Sequence, residues 1–522
     1  MAQANEVSLL KPANKPESAN ENSKMVELQD RRTPELVIAL VGPVGSGVSY
    51  TAALTASILK DEFDYRAVSY KVSSIIKDAC GLIGETFDTT LEGNARIERL
   101  QTLGNKLRAK FGADYLSGKV IERIAAERVD NDGYEAGGDT VRPPKPRRVV
   151  HIIDSLKNPA EVRHLRDVYG DTFWLVGVFA PEGIRKERLK EQKGIRDRDV
   201  QGLVERDEDE GVADGQKVRD TIYEADFFLR NDGVNDERAR RSLQRFFDVL
   251  FNVGVATPTV DEAAMYTAVS SAASSACLSR QVGAAIYSPQ NELIGVGSND
   301  VPKFGGGIYH TEDGDSDNRC FKYGGKFCHN DQRKERLYEH IWTELIEAKV
   351  IDKKKQKYDD VRTALAKTEI RSLIEYSRAV HAEMEAIISV ARGNKPGLQG
   401  ATLYCTTFPC HSCARHIIAA GVRKVIYIEP YPKSLAIDLH KDAASMDEKD
   451  ADKKVVFLQY DGIAPKNIVR FFKHGLPRKD KGKSITRSPK EAYPVLQPLL
   501  DGYTTREQIV VSKLVKIESA NQ

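Results

Sequence analysis

"ELVIALVGPVGSGVSYTAALTASILKD", residues 35–61, passes from an apolar run through a glycine turn into apolar residues at helical spacing. A buried strand, a tight turn and an amphipathic helix, in that order, are the setting of a phosphate-binding loop. Gly42, Gly45, Ser46, Gly47 and Ser49 keep the register G-x-x-x-x-G-K-[ST], but Val48 stands in the lysine position. In such loops backbone N–H groups cradle phosphate, the lysine reaches the outer phosphates and the hydroxyl holds Mg²⁺. A cradle without its lysine suits a module that senses a nucleoside phosphate, with Mg²⁺ at Ser49, better than one that transfers a phosphoryl group. The bland alternative is a relic that binds nothing.

Working outward, "RRVVHIIDSLKNP" reads as a buried strand ending in Asp154, the place of a Mg²⁺-binding acid. "FWLVGVFAP" is a further strand, followed by the arginine-rich "IRKERLKEQKGIRDRD". Strands alternating with helices predict a parallel α/β sheet over residues 34–232. Residues 1–33 lack apolar periodicity and read as a disordered tail. "DERARRSLQRFFDVLFNVG" predicts a connecting helix within 233–257. A second three-layer α/β domain is expected over 258–475, with an insertion at about 303–376, and a basic tail over 476–522.

The 522 residues carry 78 Lys and Arg against 76 Asp and Glu, so no global field advertises a nucleic-acid or membrane partner. Seven cysteines in so long a chain are not a secreted disulfide framework, which points to a reducing cytoplasm. No apolar run reaches the roughly 18 residues of a membrane span.

His381, Glu383, Cys410 and Cys413 complete H-x-E…P-C-x-x-C, the pattern of zinc-dependent nucleobase deaminases. One imidazole and two thiolates give three ligands and leave a fourth tetrahedral position for water, whose pKa the metal lowers towards about 7. Glu383, two residues from a ligand, is placed to shuttle protons from that water to the ring nitrogen and the departing ammonia. A closed zinc knuckle using His411 or His416, or a redox C-x-x-C, explains neither Glu383 nor Pro409. Cys320, Cys328 and His329, with His310 nearby, are either a second, structural zinc site or buried loop cysteines; their irregular spacing favours the latter.

These motifs give the second half a close resemblance to the deoxycytidylate deaminase family, carried by "SRQVGAAIYSPQNELIGVGSND", "YSRAVHAEMEAI", "TTFPCHSCARHI" and "IYIEPYPKS". The resemblance implies a cytidine-deaminase-like α/β/α fold, a sugar contact from Asn299, Arg280 near the substrate entrance, Tyr427 lining the pocket, and a homo-oligomer. Asp300 departs from the glycine usual after that asparagine. The first half resembles a nucleotide kinase turned regulator, with "RLQTLGNKLRAKFGADYL", Arg185, Arg188, Arg196 and Arg198 similar to monophosphate-site and lid elements. A P-loop kinase-like domain fused before such a deaminase resembles the bacterial anti-phage dCTP deaminases, whose toxin members are restrained by a small RNA antitoxin. That implies zinc-dependent hydrolytic deamination of dCTP or dCMP to deoxyuridine nucleotides during infection. Two other readings stay open: an editing deaminase acting on RNA or single-stranded DNA, and a nucleotide-controlled switch or RNA-binding scaffold with secondary deaminase activity.

Overall fold

The computed structural model describes residues 32–134, 144–208, 215–232, 236–393, 397–431, 433–473, 477–497 and 500–519. The tail expected over 1–33 lies, but for Arg32 and Thr33, outside them. The chain divides into two compact units, Met1–Thr257 with Asp461–Gln522, and Pro258–Tyr460. No helix among the described residues is long and apolar enough to cross a membrane.

In the first unit, β1 (Leu36–Val41), β2 (Arg66–Lys71), β3 (Val149–Leu156), β4 (Phe173–Phe179) and β5 (Phe227–Arg230) pair in parallel in the order β5-β4-β1-β3-β2. Every residue of the central β1 and of β4 is buried, which is why both read as unbroken apolar runs rather than alternating ones. This is the expected doubly wound α/β architecture. The P-loop joins β1 to the helix Val48–Asp61, at the carboxyl ends of the parallel strands where such sheets bind ligands.

The second unit builds its sheet from β6 (Gly283–Tyr287), β7 (Leu293–Ser298), β8 (Thr402–Thr407), β9 (Lys424–Glu429), β10 (Ala444–Ser445) and β11 (Val455–Gln459). The order is β10-β11-β9-β8-β6-β7; β6 runs antiparallel to β7 and β8, and the rest pair in parallel. Helices Val260–Ala272 and Ala382–Arg392 pack against β6 and β7. Their approach requires glycine: a Cβ on Gly297 of β7 would lie 2.3 Å from the Ala382 carbonyl oxygen and 2.4 Å from the Ala386 nitrogen. Gly297→Ala therefore pushes away the helix that starts beside His381, and it should cost about 3 kcal/mol by overpacking. Chemical denaturation of the full chain, with zinc analysis of the folded fraction, checks this; a loss below about 0.5 kcal/mol would show that the helix shifts freely. The insertion contributes helices His329–Glu347 and Tyr358–Leu365, with Tyr338 the one buried residue in the two.

After β11 the chain returns to the first unit, which corrects three expected boundaries. The second unit ends at Tyr460, not 475, and β12 (Gly462–Ile463) extends the first sheet by pairing antiparallel with β5. The helix Pro465–Phe472 stacks Phe471 on Trp174 at 5.2 Å. The supposed basic tail also contains a helix, Leu500–Ser519, packed on the helix Tyr115–Asp130. Its Leu514 sits against Gly118, and its Glu507 accepts a hydrogen bond from the fully buried Arg128 at 3.1 Å, which also pairs with Glu35 at 2.6 Å. Charge density hid the few apolar residues that anchor this segment. The expected connecting helix is likewise part of a core: Asp236–Leu250 buries Leu243, Phe246, Phe247 and Leu250 completely, with Phe246 stacked on Phe227 at 4.6 Å.

Candidate zinc centre and P-loop

His381 is the N-cap residue of the helix Ala382–Arg392, and Cys410 that of the helix His411–Ala419. β8 delivers the second half-site: the strand ends at Thr407, Pro409 follows, and Cys410 Sγ accepts the Cys413 N–H at 3.4 Å. His381 Nδ1 lies 3.3 Å from Cys410 Sγ and 3.3 Å from Cys413 Sγ. Ligands on one tetrahedral zinc stand about 3.5–3.8 Å apart, given Zn–N near 2.0 Å and Zn–S near 2.3 Å. The donor set therefore fits zinc, and among the described residues no other group of His, Cys, Asp and Glu side chains brings three such atoms together.

The hydrogen bond from Cys413 and the neighbouring His381 pull the Cys410 thiol well down, and the bond to Cys410 pushes the His381 ring up. Zinc takes these ligands as thiolates and neutral imidazole, so its binding releases protons. Glu383, in the first turn after His381, is 4% exposed, and burial pushes its carboxyl up despite the opposing pull of His381. A carboxylate with raised proton affinity is what an acid–base shuttle near neutral pH requires.

His381, Glu383 and Cys410 line a cavity of about 250 Å³ together with Arg280, Asn299, Phe408 and Tyr431. Asn299 Oδ1 accepts the Val282 N–H at 2.6 Å and its Nδ2 donates to the Arg280 carbonyl at 2.7 Å, so its amide shapes the loop carrying Arg280. Arg280 is half exposed and pairs with Glu429 at 2.9 Å. Tyr427, expected in the pocket, is instead a core residue, 3% exposed and edge-on to Phe408 at 4.9 Å. On β9 it pairs with Cys405 of β8, two residues before the Thr407–Glu429 pair, and it is not among the residues that line the cavity. Tyr431, just past the strand, takes the lining position, and only the strand's end point could have singled it out.

Asp300 uses the carboxylate that a glycine lacks: Oδ2 accepts the Ala276 N–H at 2.8 Å and Oδ1 its own neighbour Val301 N–H at 2.8 Å. Cys320, Cys328 and His329 line a small cavity that adjoins the one at His381 and shares Cys277 and Ser279 with it. Among the described residues their donor atoms do not converge as those of His381, Cys410 and Cys413 do, and Cys320 and Cys328 are half-buried rather than buried. His310 instead caps the turn Thr311–Ser316.

In the first unit, Gly45 and Gly47 have φ of 81° and 87°, a left-handed geometry that the turn demands of glycine. Ser46 is buried, Ser49 is exposed at the start of the helix, and Asp154 is buried on β3 opposite Leu40 of β1. Gly42 packs so closely that a Cβ there would meet Ser46 Oγ at 2.5 Å and a Val48 methyl at 2.9 Å. Val48 is thus buried in the apolar core, whose cluster it joins. Sequence reasoning missed Lys157 and Asp207 beside this loop; neither belongs to a local motif.

Residues 258–429 match the family model described as the cytidine and deoxycytidylate deaminase zinc-binding region. The deoxycytidylate deaminase of Enterobacteria phage T2 is 40% identical over 75 residues, 14% of this chain and 39% of that protein. The chain spans about two-fifths of the length of the curated relatives it matches. A dCMP deaminase from the cyanophage S-TIM5, in complex with dCMP and dUMP, is 19% identical with a TM-score of 0.23, covering 40% of this chain and 100% of that one. A shikimate kinase from Bacteroides thetaiotaomicron is 14% identical with a TM-score of 0.25, covering 42% of this chain and 98% of that one. The second unit therefore carries a zinc domain of the cytidine and deoxycytidylate deaminase family.

Proposed function

We propose that the second unit deaminates free deoxycytidine nucleotides, dCMP or dCTP, to deoxyuridine nucleotides and ammonia. The observation that carries this is the meeting of His381, Cys410 and Cys413, with the buried Glu383 lining the same cavity as His381 and Cys410. Zinc held by the three ligands supplies a Lewis acid that makes water a nucleophile near neutral pH. Glu383 takes a proton from the water whose oxygen bonds to C4 of cytosine, and delivers it to ring N3. It then passes the water's second proton to the exocyclic nitrogen, the C4–N bond breaks, and ammonia leaves. Asn299 fixes the loop that carries Arg280 and offers the sugar only the second N–H of its amide, and Arg280 at the mouth offers its guanidinium to phosphate in exchange for Glu429.

The fused P-loop unit supports a regulated enzyme: a nucleoside phosphate bound at Gly42–Ser49 alters the deaminase rate. The resemblance of this two-motif chain to the bacterial anti-phage dCTP deaminases is what supports a role in drawing down dCTP during phage infection, with a small RNA as restraint and a homo-oligomer as the working form. Ammonia release from the purified chain with dCMP, dCTP, CMP, CTP and single-stranded oligonucleotides tests the substrate class. Turnover of the free deoxynucleotides, at least about tenfold above the ribonucleotides in kcat/KM, is the expected result. Turnover of oligonucleotides alone would replace this proposal with the editing reading.

A further inference from the structure

We propose that the P-loop is closed by an anion of its own chain: the Asp207 carboxylate occupies the phosphate cradle, Lys157 holds it there, and a nucleoside phosphate binds by taking its place. This rests on the reading that the loop is a phosphate site. Asp207 Oδ2 accepts the backbone N–H of Val44, a residue 163 positions away, at 2.7 Å. Backbone N–H groups of this loop are the donors that phosphate oxygens use. A carboxylate is the side chain that best imitates two of those oxygens.

Lys157 completes the imitation. Its Nζ lies 2.9 Å and 3.1 Å from the two Asp207 oxygens and 3.1 Å from the Gly42 carbonyl. The cation absent from position 48 is therefore supplied from just beyond β3. Ser155, between Asp154 and Lys157, has φ of 131°, and the β1–β3 register skips it, so a bulge turns the strand end towards the loop. On the other side of the loop, Arg188 reaches the Gly45 and Ser46 carbonyls at 3.4 Å and 3.3 Å, and Asn231 Nδ2 donates to Ser46 O at 2.8 Å. Two buried polar atoms at the loop, Ser46 Oγ and Asp154 Oδ1, have no hydrogen-bond partner.

Asp207 arrives on the helix Asp197–Glu208, which has its own small core of Leu189, Ile195, Val200, Leu203 and Val204, with Val44 packed against it. The helix is thus seated on the loop by one apolar contact and one hydrogen bond, both at Val44. A ligand of this loop must carry at least the charge of the carboxylate it displaces, and a polyphosphate chain does so while keeping Lys157 as its partner. Because the closed form competes with ligand, apparent affinity falls by the fraction of chains that are open.

Isothermal titration of the full chain with ATP–Mg²⁺, and separately with inorganic triphosphate, tests the exchange. Asp207→Asn keeps the side chain's shape and removes its charge, and should bind ATP at least about tenfold more tightly than the parent chain. Adding Lys157→Ala to that variant should weaken binding again by at least about tenfold. Asp207→Ser carries the same test if the asparagine variant does not fold. Equal affinity in parent and Asp207 variants overturns the proposal. Binding of neither probe to any of these proteins overturns it together with the phosphate-site reading, and leaves the deaminase assignment untouched. Tightening for triphosphate as much as for ATP assigns recognition to the phosphate chain; tightening for ATP alone assigns part of it to the nucleoside.

Discussion

Glu383→Ala is expected to lower turnover by at least about 10³-fold, roughly 4 kcal/mol of transition-state stabilisation, while zinc content stays at that of the parent chain. The carboxylate is buried and lines the cavity two residues beyond His381, yet the convergent donor atoms are those of His381, Cys410 and Cys413. Its loss removes the proton carrier and leaves all three ligands in place. Ammonia release and metal analysis on the same preparation separate the two effects. Retained turnover would remove Glu383 from the mechanism; zinc lost in parallel with activity would make it a ligand.

Cys413→Ala is expected to lose metal and turnover together, with zinc falling below about a tenth of the parent content and activity by at least about 10³-fold. Cys410→Ala does the same and adds a second cost, because Cys410 Sγ also caps its helix by accepting the Cys413 N–H. Loss of an N-cap costs about 0.5–2 kcal/mol. Cys410→Ser separates the two roles: a hydroxyl restores the cap and is a poor match for the thiolate in zinc binding, so stability returns while metal and activity do not. Zinc retained in full by either alanine variant would assign the metal to other side chains. The cavity lined by Cys277, Cys320, Cys328 and His329 is where such zinc would then be sought.

The candidate residues of both sites could be singled out in the sequence because their spacing is short. His381 and Glu383 are two residues apart, Cys410 and Cys413 three, and Gly42 to Ser49 are one turn and the first residues of a helix. Backbone geometry over such distances is dictated by a few dihedrals, so residue type and spacing carry the information. The alternation of strands and helices was legible for the same reason, since apolar periodicity is local.

What only the tertiary structure decided lies between residues far apart. Tyr431 rather than Tyr427 lines the pocket because β9, held in register beside β8, carries Tyr427 into the core and ends before Tyr431. The return of residues 461–519 to the first unit depends on Ile463 beside β5, Phe471 on Trp174 and Glu507 beside Arg128, contacts with no local signature. Asp207 reaches Val44 across 163 residues because a small apolar core seats its helix on the loop. Burial of apolar surface selects such pairings for the whole chain at once and is non-directional, so no single segment of sequence states them.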